Sequence, residues 1–181
     1  MWVFGYGSLM WDGWENKFTC LQKVRGELLG YRRIFNKASV KNWGAKAAPG
    51  PTLNLIAGQD YICRGMAFNF PIAQSEEIVS YLRKREGKGF SLETLKVKTE
   101  LGTEVHSIVP LYYGLNLVNT DSVEDLAAKV LSAKGDAGTC LNYVRGVAAK
   151  LSELEIFDDE VIALARELDK NCAMREASLS P

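Results

Sequence analysis

The chain opens on Trp2-Val3-Phe4-Gly5-Tyr6-Gly7-Ser8-Leu9, a short aromatic and β-branched run that stops at two glycines. Such a run reads as a strand, Trp2–Tyr6, feeding a tight loop. Gly5 and Gly7 bracket Tyr6, and glycine lets the backbone take conformations closed to other residues and come close to a ligand. Ser8 adds a hydroxyl, and successive peptide N–H groups in such a turn can converge on a carboxylate or a carbonyl oxygen. The same glycines would serve a bare bend at a barrel corner. The residues of the loop leave both readings open. They do not make a phosphate loop, which needs a different glycine spacing and a lysine.

Outward from this strand, the first half of the chain continues in the same vein. Val24–Phe35 offers two strand pieces around Gly30. Thr52–Ala57 alternates, Gly58-Gln59-Asp60 reads as a turn, and Tyr61–Phe70 resumes, which predicts a hairpin. Residues 38–51, rich in Gly, Pro, Lys and Asn, read as a long loop of the kind that covers a site. Gln74–Glu86 reads as a helix with Ser75 as N-cap, Glu76 and Glu77 in the first turn, and Gly87 at its C-terminal stop. Two further strands, Leu92–Thr99 and Val105–Tyr113, precede a helical last third: Ser122–Lys134, Thr139–Leu151 and Asp158–Cys172. Strands first, one helix inserted, then a helical end is an α+β pattern, not alternating β-α units. A chain of 181 residues fits one compact domain, 1–176, with a frayed tail over 177–181.

Composition narrows the function. Lys plus Arg equals Asp plus Glu at 22 each, so the net charge is zero. That balance argues against a nucleic-acid partner held by electrostatics. Arg83-Lys84-Arg85 is the one dense basic run and reads as a solvated helix face. The four cysteines, Cys20, Cys63, Cys140 and Cys172, form no Cys-x-x-Cys pair, and His106 is the single histidine. No metal site follows from these, and reduced thiols are the simple expectation. Gly5 and Gly7 break the first apolar run before it reaches the length of a signal peptide or membrane span, so the expectation is a cytoplasmic protein with no membrane partner.

Glu86 is the second feature that could carry chemistry. Ile78, Leu82 and Glu86 stand four residues apart and share one helix face. The first two point to the core, so the carboxylate sits at the end of a buried stripe. It also sits at the helix C-terminus, where the macrodipole disfavours negative charge. Both effects raise its pKa towards the range useful for proton transfer. The plainer reading is a partly exposed glutamate paired with Arg83 or Arg85. Tyr143, between Leu141 and Val144 in chain order, fits either core filling or a pocket wall; Trp11, Trp14 and Trp43 do the same. His106 lies in a strand-like run and reads as structural.

Taken together, these residues resemble a known family. Trp2-Val3-Phe4-Gly5-Tyr6-Gly7-Ser8-Leu9-Met10-Trp11 resembles the opening of ChaC-type γ-glutamylcyclotransferases. The likeness continues through Gly30-Tyr31-Arg32-Arg33, Pro49-Gly50, Thr52-Leu53, Gly65-Met66-Ala67 and Tyr81-Leu82 to Arg85-Glu86, and ends around Gly138 to Tyr143. The resemblance implies a small, mixed, partly open β-barrel with flanking helices. It implies a small-molecule γ-glutamyl substrate, usually glutathione, whose α-amino group attacks its own side-chain carbonyl to give 5-oxoproline and release cysteinylglycine. Glu86 matches the catalytic glutamate, and Tyr6, Gly7, Ser8, Leu9 and Tyr143 are the implied substrate-binding residues. Such an internal amide exchange implies neither a metal nor an organic cofactor. The family motif continues into Lys-Gly-Gly-Tyr, whereas Gly87-Lys88-Gly89-Phe90 follows here, so Phe90 stands without the hydroxyl. Residues 41–45 also lack the His-Arg-Gly run of the glutathione-specific members. A cyclotransferase for another γ-glutamyl amine or dipeptide, and a non-catalytic binding relative, are the competing expectations. Oligomeric state is left open.

Overall fold

The computed structural model describes residues 1–179, with side chains to Met174. The tail expected over 177–181 falls at this margin, and its last two residues lie outside the described ones. The chain divides into two compact units, Met1–Arg33 with Asn54–Leu115 and Ile34–Leu53 with the residues from Asn116 onward.

The first unit is built on a five-stranded barrel. Its strands are β1 (Trp2–Gly5), β2 (Gln22–Ser39), β3 (Gly50–Asn69), β4 (Phe90–Thr99) and β5 (Glu104–Tyr112), in the order β1-β3-β2-β4-β5. The far ends of β2 and β3 belong to the second unit. The barrel is closed rather than partly open, because the four-residue β1 pairs on both edges. It runs antiparallel to β3, with Val3 opposite Phe68, and parallel to β5, with Val3 opposite Ile108. Closure removes the free strand edges that would otherwise invite pairing with another chain. Val3, Phe4, Leu28, Ala67, Val97 and Val109 are fully buried. Each large side chain among them contributes about 1.5–3 kcal/mol relative to exposure.

The hairpin expected at residues 52–70 is instead one continuous strand, β3. Gly58 does not reverse the chain; it makes room for a ring, since a Cβ there would stand 2.3 Å from Tyr61. Tyr61 in turn packs under the Arg32 guanidinium. A glycine inside a strand often marks such a close approach, and in a sequence it looks the same as a turn.

Helix α1 (Ser75–Glu86) packs against β4 in this unit. Ile78 and Leu82 are fully buried, as the four-residue spacing predicts. The N-cap is Gln74 and not Ser75, and it caps without a side-chain bond; its Oε1 accepts from the Thr19 N–H instead. Gly87 ends the helix with φ of 76° and ψ of −163°, a positive-φ conformation that glycine takes without a Cβ penalty.

The second unit gathers α2 (Val123–Ser132), α3 (Cys140–Glu153) and α4 (Asp159–Leu179). Ser122 Oγ accepts from the Asp125 N–H and Thr139 Oγ1 from the Asn142 N–H, so the first residues of the two spans expected from the sequence act as their N-caps. Val130, Val144, Val147, Leu164 and Leu168 supply its core. Among the described residues, no helix is long and apolar enough to cross a membrane.

Candidate active site

The loop that follows β1 is a single 3-10 turn, Ser8–Met10. Its carbonyls are engaged one after another. Tyr6 O accepts from Arg33 Nε at 2.7 Å, and Gly7 O accepts from the Met10 N–H at 2.9 Å. Ser8 O accepts from the N–H groups of Trp11 and Asp12, both at 3.1 Å, and Leu9 O from Trp14 Nε1 at 3.0 Å. The loop is therefore pinned from beneath. Neither Gly5 nor Gly7 has a positive φ, but Gly7, at φ −130° and ψ −131°, lies outside the ordinary strand and helix regions. Gly5 serves close packing instead, since a Cβ there would meet Leu9 Cβ at 2.9 Å.

Two of the expected site side chains act as anchors. Tyr6 is buried, and its hydroxyl donates to Pro110 O on β5 at 2.8 Å. Leu9 is buried under the turn. Ser8 alone in the loop is partly exposed, and its hydroxyl accepts from Arg85 Nη2 at 3.0 Å.

Arg85 joins this loop to Glu86. Its Nε donates to Glu86 Oε1 at 3.3 Å, its Nη1 to the Tyr81 hydroxyl at 3.3 Å, and its Nη2 also to Asp12 Oδ2. The side chains of Glu86, Arg85 and Asp12 are 17, 20 and 24 % exposed, so this cluster is shielded without being sealed. Burial works against the Arg85 cation. The hydrogen bond and charge of Asp12, then the charge of Glu86 and the bond to Tyr81, more than offset it and raise its pKa above the ordinary arginine value. Arg85 is thus no part of a solvated helix face, although Arg83 and Lys84 are exposed as expected. The pairing of Glu86 with Arg85 is also the plainer of the two sequence readings. What the sequence did not disclose is that the same guanidinium touches Ser8.

An aromatic cluster sets the spacing behind the loop. Trp14, almost fully buried, stacks on Tyr81 with centroids 6.0 Å apart and an interplanar angle of 12°. Its ring also meets Phe68 at 5.6 Å and Phe70 at 5.4 Å. One indole therefore holds the Leu9 carbonyl and, through Tyr81, the face of α1 that carries Arg85. Trp14 belongs to the core, the first of its two sequence readings.

The remaining candidates have structural settings. Tyr143 lies in the second unit, buried, with its hydroxyl accepting from the Leu53 N–H at 3.2 Å and its ring 5.4 Å from Trp43. His106 is exposed on β5 opposite Lys96. Phe90 faces Tyr112 across the β4–β5 ladder, ring centroids 5.1 Å apart. The Cys140 thiol is pushed up to about 12 by burial and donates to Pro51 O, which leaves it a poor nucleophile. Among the described residues, no three His, Cys, Asp or Glu side chains are grouped to hold a metal ion.

Sequence reasoning passed over Asp12, Tyr81 and the role of Arg33. A signal existed for the last: Arg33 alternates with Phe35 on a strand, which points the guanidinium to the same inward face. Asp12 carried no such signal.

Residues 1–171 match the ChaC-like protein family model. The chain is 28% identical to γ-glutamylcyclotransferase 2-3 of Arabidopsis thaliana over 178 residues, covering 93% of this chain and 88% of that protein. It is 30% identical to the glutathione-specific γ-glutamylcyclotransferase of Escherichia coli over 166 residues, covering 88% of this chain and 68% of that one. In fold it is similar to a crystal structure of a yeast γ-glutamyl cyclotransferase specific to glutathione, with a TM-score of 0.83, 19% identity, and coverage of 94% and 96%. With the barrel, the pinned loop and the Arg-Glu end of α1 all in place, the chain belongs to the ChaC-like family of γ-glutamylcyclotransferases.

Proposed function

We propose that the Tyr6–Leu9 loop and Glu86 form a site that converts glutathione to 5-oxoproline and cysteinylglycine, with Glu86 carrying the proton. The observation that supports it most directly is the Arg85 guanidinium, which touches Ser8 Oγ at 3.0 Å and Glu86 Oε1 at 3.3 Å and so holds loop and carboxylate side by side. Glutathione as the substrate rests on the names of the E. coli and yeast relatives.

The chemistry asks for two services. The γ-glutamyl chain must be held curled, because ring closure is intramolecular and positioning alone can supply much of the rate. With its carbonyls engaged, the loop meets the substrate through N–H groups and the Ser8 hydroxyl, which suit a carboxylate or a developing oxyanion. The proton must also move. Glu86 takes one from the substrate ammonium, freeing the nitrogen to attack the γ-carbonyl. A C–N bond forms in the ring, the original amide C–N bond breaks, and Glu86 returns the proton to the departing nitrogen. No water is consumed. Burial and the helix C-terminus disfavour the Glu86 anion while Arg85 favours it, and proton exchange in both directions needs that balance.

Release of 5-oxoproline from glutathione, γ-glutamyl dipeptides and simple γ-glutamyl amines tests the reading. The expected result is turnover of glutathione by the wild type and none by a folded Glu86→Gln variant. Turnover of the other compounds but not glutathione would move the substrate assignment, and an active Glu86→Gln variant would remove the proton role.

A further inference from the structure

Arg85 stands between two carboxylates, and it does not treat them alike. Its Nη2 makes a close contact with Asp12 Oδ2 and a 3.0 Å bond to Ser8 Oγ, whereas of the guanidinium's three nitrogens it is Nε that donates to Glu86 Oε1, at 3.3 Å. Tyr81 takes Nη1 at 3.3 Å. A guanidinium prefers to close a two-point fork on a carboxylate, and such forks are the strong ion pairs. Here the Nη groups that would complete a fork on Glu86 are turned towards Asp12, Ser8 and Tyr81. Asp12 lies in the segment just after the 3-10 turn, where its own N–H donates to Ser8 O, so its position is tied to the loop.

We infer that Asp12 is a positioning residue for the reaction: it draws the Arg85 guanidinium towards the loop and keeps it from closing a fork on Glu86, which leaves that carboxylate able to exchange protons. This rests on the reading of Glu86 as the proton carrier. Asp12 touches no reacting atom; it acts through Arg85. Without its charge, the carboxylate left to the guanidinium is Glu86, and a forked pair would stabilise the Glu86 anion so strongly that it takes up the substrate's proton poorly. The Ser8 hydroxyl would lose its donor in the same movement. The loop carbonyls stay pinned by Arg33 and by the Trp14 indole; the Trp14 backbone N–H also donates to Asp12 Oδ1 at 3.3 Å, a bond that the amide oxygen of an Asp12→Asn variant can keep. Substrate binding through the loop N–H groups should therefore survive.

The test is steady-state release of 5-oxoproline by Asp12→Asn, Asp12→Glu and Glu86→Gln, each checked for folding by circular dichroism. The expected result for Asp12→Asn is a kcat lowered about tenfold or more with KM changed less than about threefold, because a proton-transfer service is lost and a binding one is not. Asp12→Glu, which restores the charge, should recover most of kcat. Asp12→Ser serves the same comparison if the Asn variant does not fold. A wild-type kcat in the Asn or Ser variant overturns the inference, as does a loss that falls on KM alone or that Asp12→Glu fails to recover. If Glu86→Gln is inactive while Asp12→Asn is unaffected, only this inference fails; if Glu86→Gln is active, the proton-carrier reading fails with it.

Discussion

Arg85 Nη2 lies 3.0 Å from Ser8 Oγ, and this bond spans 77 residues of chain. It unites the two features that stand out in the sequence, a glycine-rich loop and a glutamate at a helix end, through a residue that stood out only as one of a basic run. The loop and the helix are rigid for separate reasons. Arg85 joins them at the site, and Trp14 joins them behind it by holding the Leu9 carbonyl while stacking on Tyr81.

Arg33 is almost fully buried and donates to the carbonyls of Tyr6 and Arg64. Arg33→Met keeps the bulk but leaves those buried acceptors without donors, at about 1–3 kcal/mol each. The expected outcome is a Tm lowered by several degrees, together with a raised KM as the loop loosens. Thermal unfolding and steady-state kinetics read the two effects; an unchanged KM would show that the loop does not need this pin.

Trp14 offers a finer test of the same support. Trp14→Phe keeps a ring against Phe68, Phe70 and Tyr81 but removes the indole donor to Leu9 O. A destabilisation of about 1–3 kcal/mol is expected from the unpaired carbonyl. Chemical denaturation of the variant measures it, and a larger loss would mean that the indole shape matters more than its N–H.

Gly87 ends α1 one residue after Glu86, with φ of 76° and open space where a Cβ would go. Gly87→Ala therefore meets no clash with a neighbouring residue, and its cost is that of a backbone conformation, φ 76° and ψ −163°, essentially restricted to glycine, about 1–3 kcal/mol. If the last turn relaxes to relieve that cost, the carboxylate moves with it. The expected signature is a kcat reduced more than stability alone explains, measured well below the variant's Tm.

Cys140 sets an alkaline limit. Its thiol has a folded pKa of about 12 because burial disfavours the thiolate, against an ordinary value of 9.0. The folded state thus binds more protons than the unfolded one between these values, so stability falls as pH rises from about 9 to about 12. Below that window the thiol contributes no pH dependence. Denaturation midpoints of the wild type and Cys140→Ala across pH 8 to 11 should converge at the alkaline end. In the native protein at neutral pH, Cys140 should also resist alkylation.

Local pattern made much of the architecture legible. The four-residue spacing of Ile78 and Leu82, the stop at Gly87 and the starts of the helices near Ser122 and Thr139 each depend on a few neighbouring residues, and each is where the sequence puts it. So is the α+β order of the elements. Gly58 misled because a glycine that admits a ring and a glycine that turns a chain are the same letter; the difference lies in Tyr61, folded back over it.

The opening stretch, Trp2 to Leu9, shows where that legibility stops. By itself the sequence determined that a strand enters a tight loop and that a glutamate ends an amphipathic helix, because backbone period and side-chain chemistry are local properties. Tertiary structure alone decided that β1 closes the barrel between β3 and β5, that Arg33 reaches back to Tyr6, and that Asp12 and Ser8 share Arg85 with Glu86. These are contacts between residues far apart in the chain. Which buried charge finds which partner is set by packing, since a charge taken out of water must be paired wherever the fold brings a partner within reach.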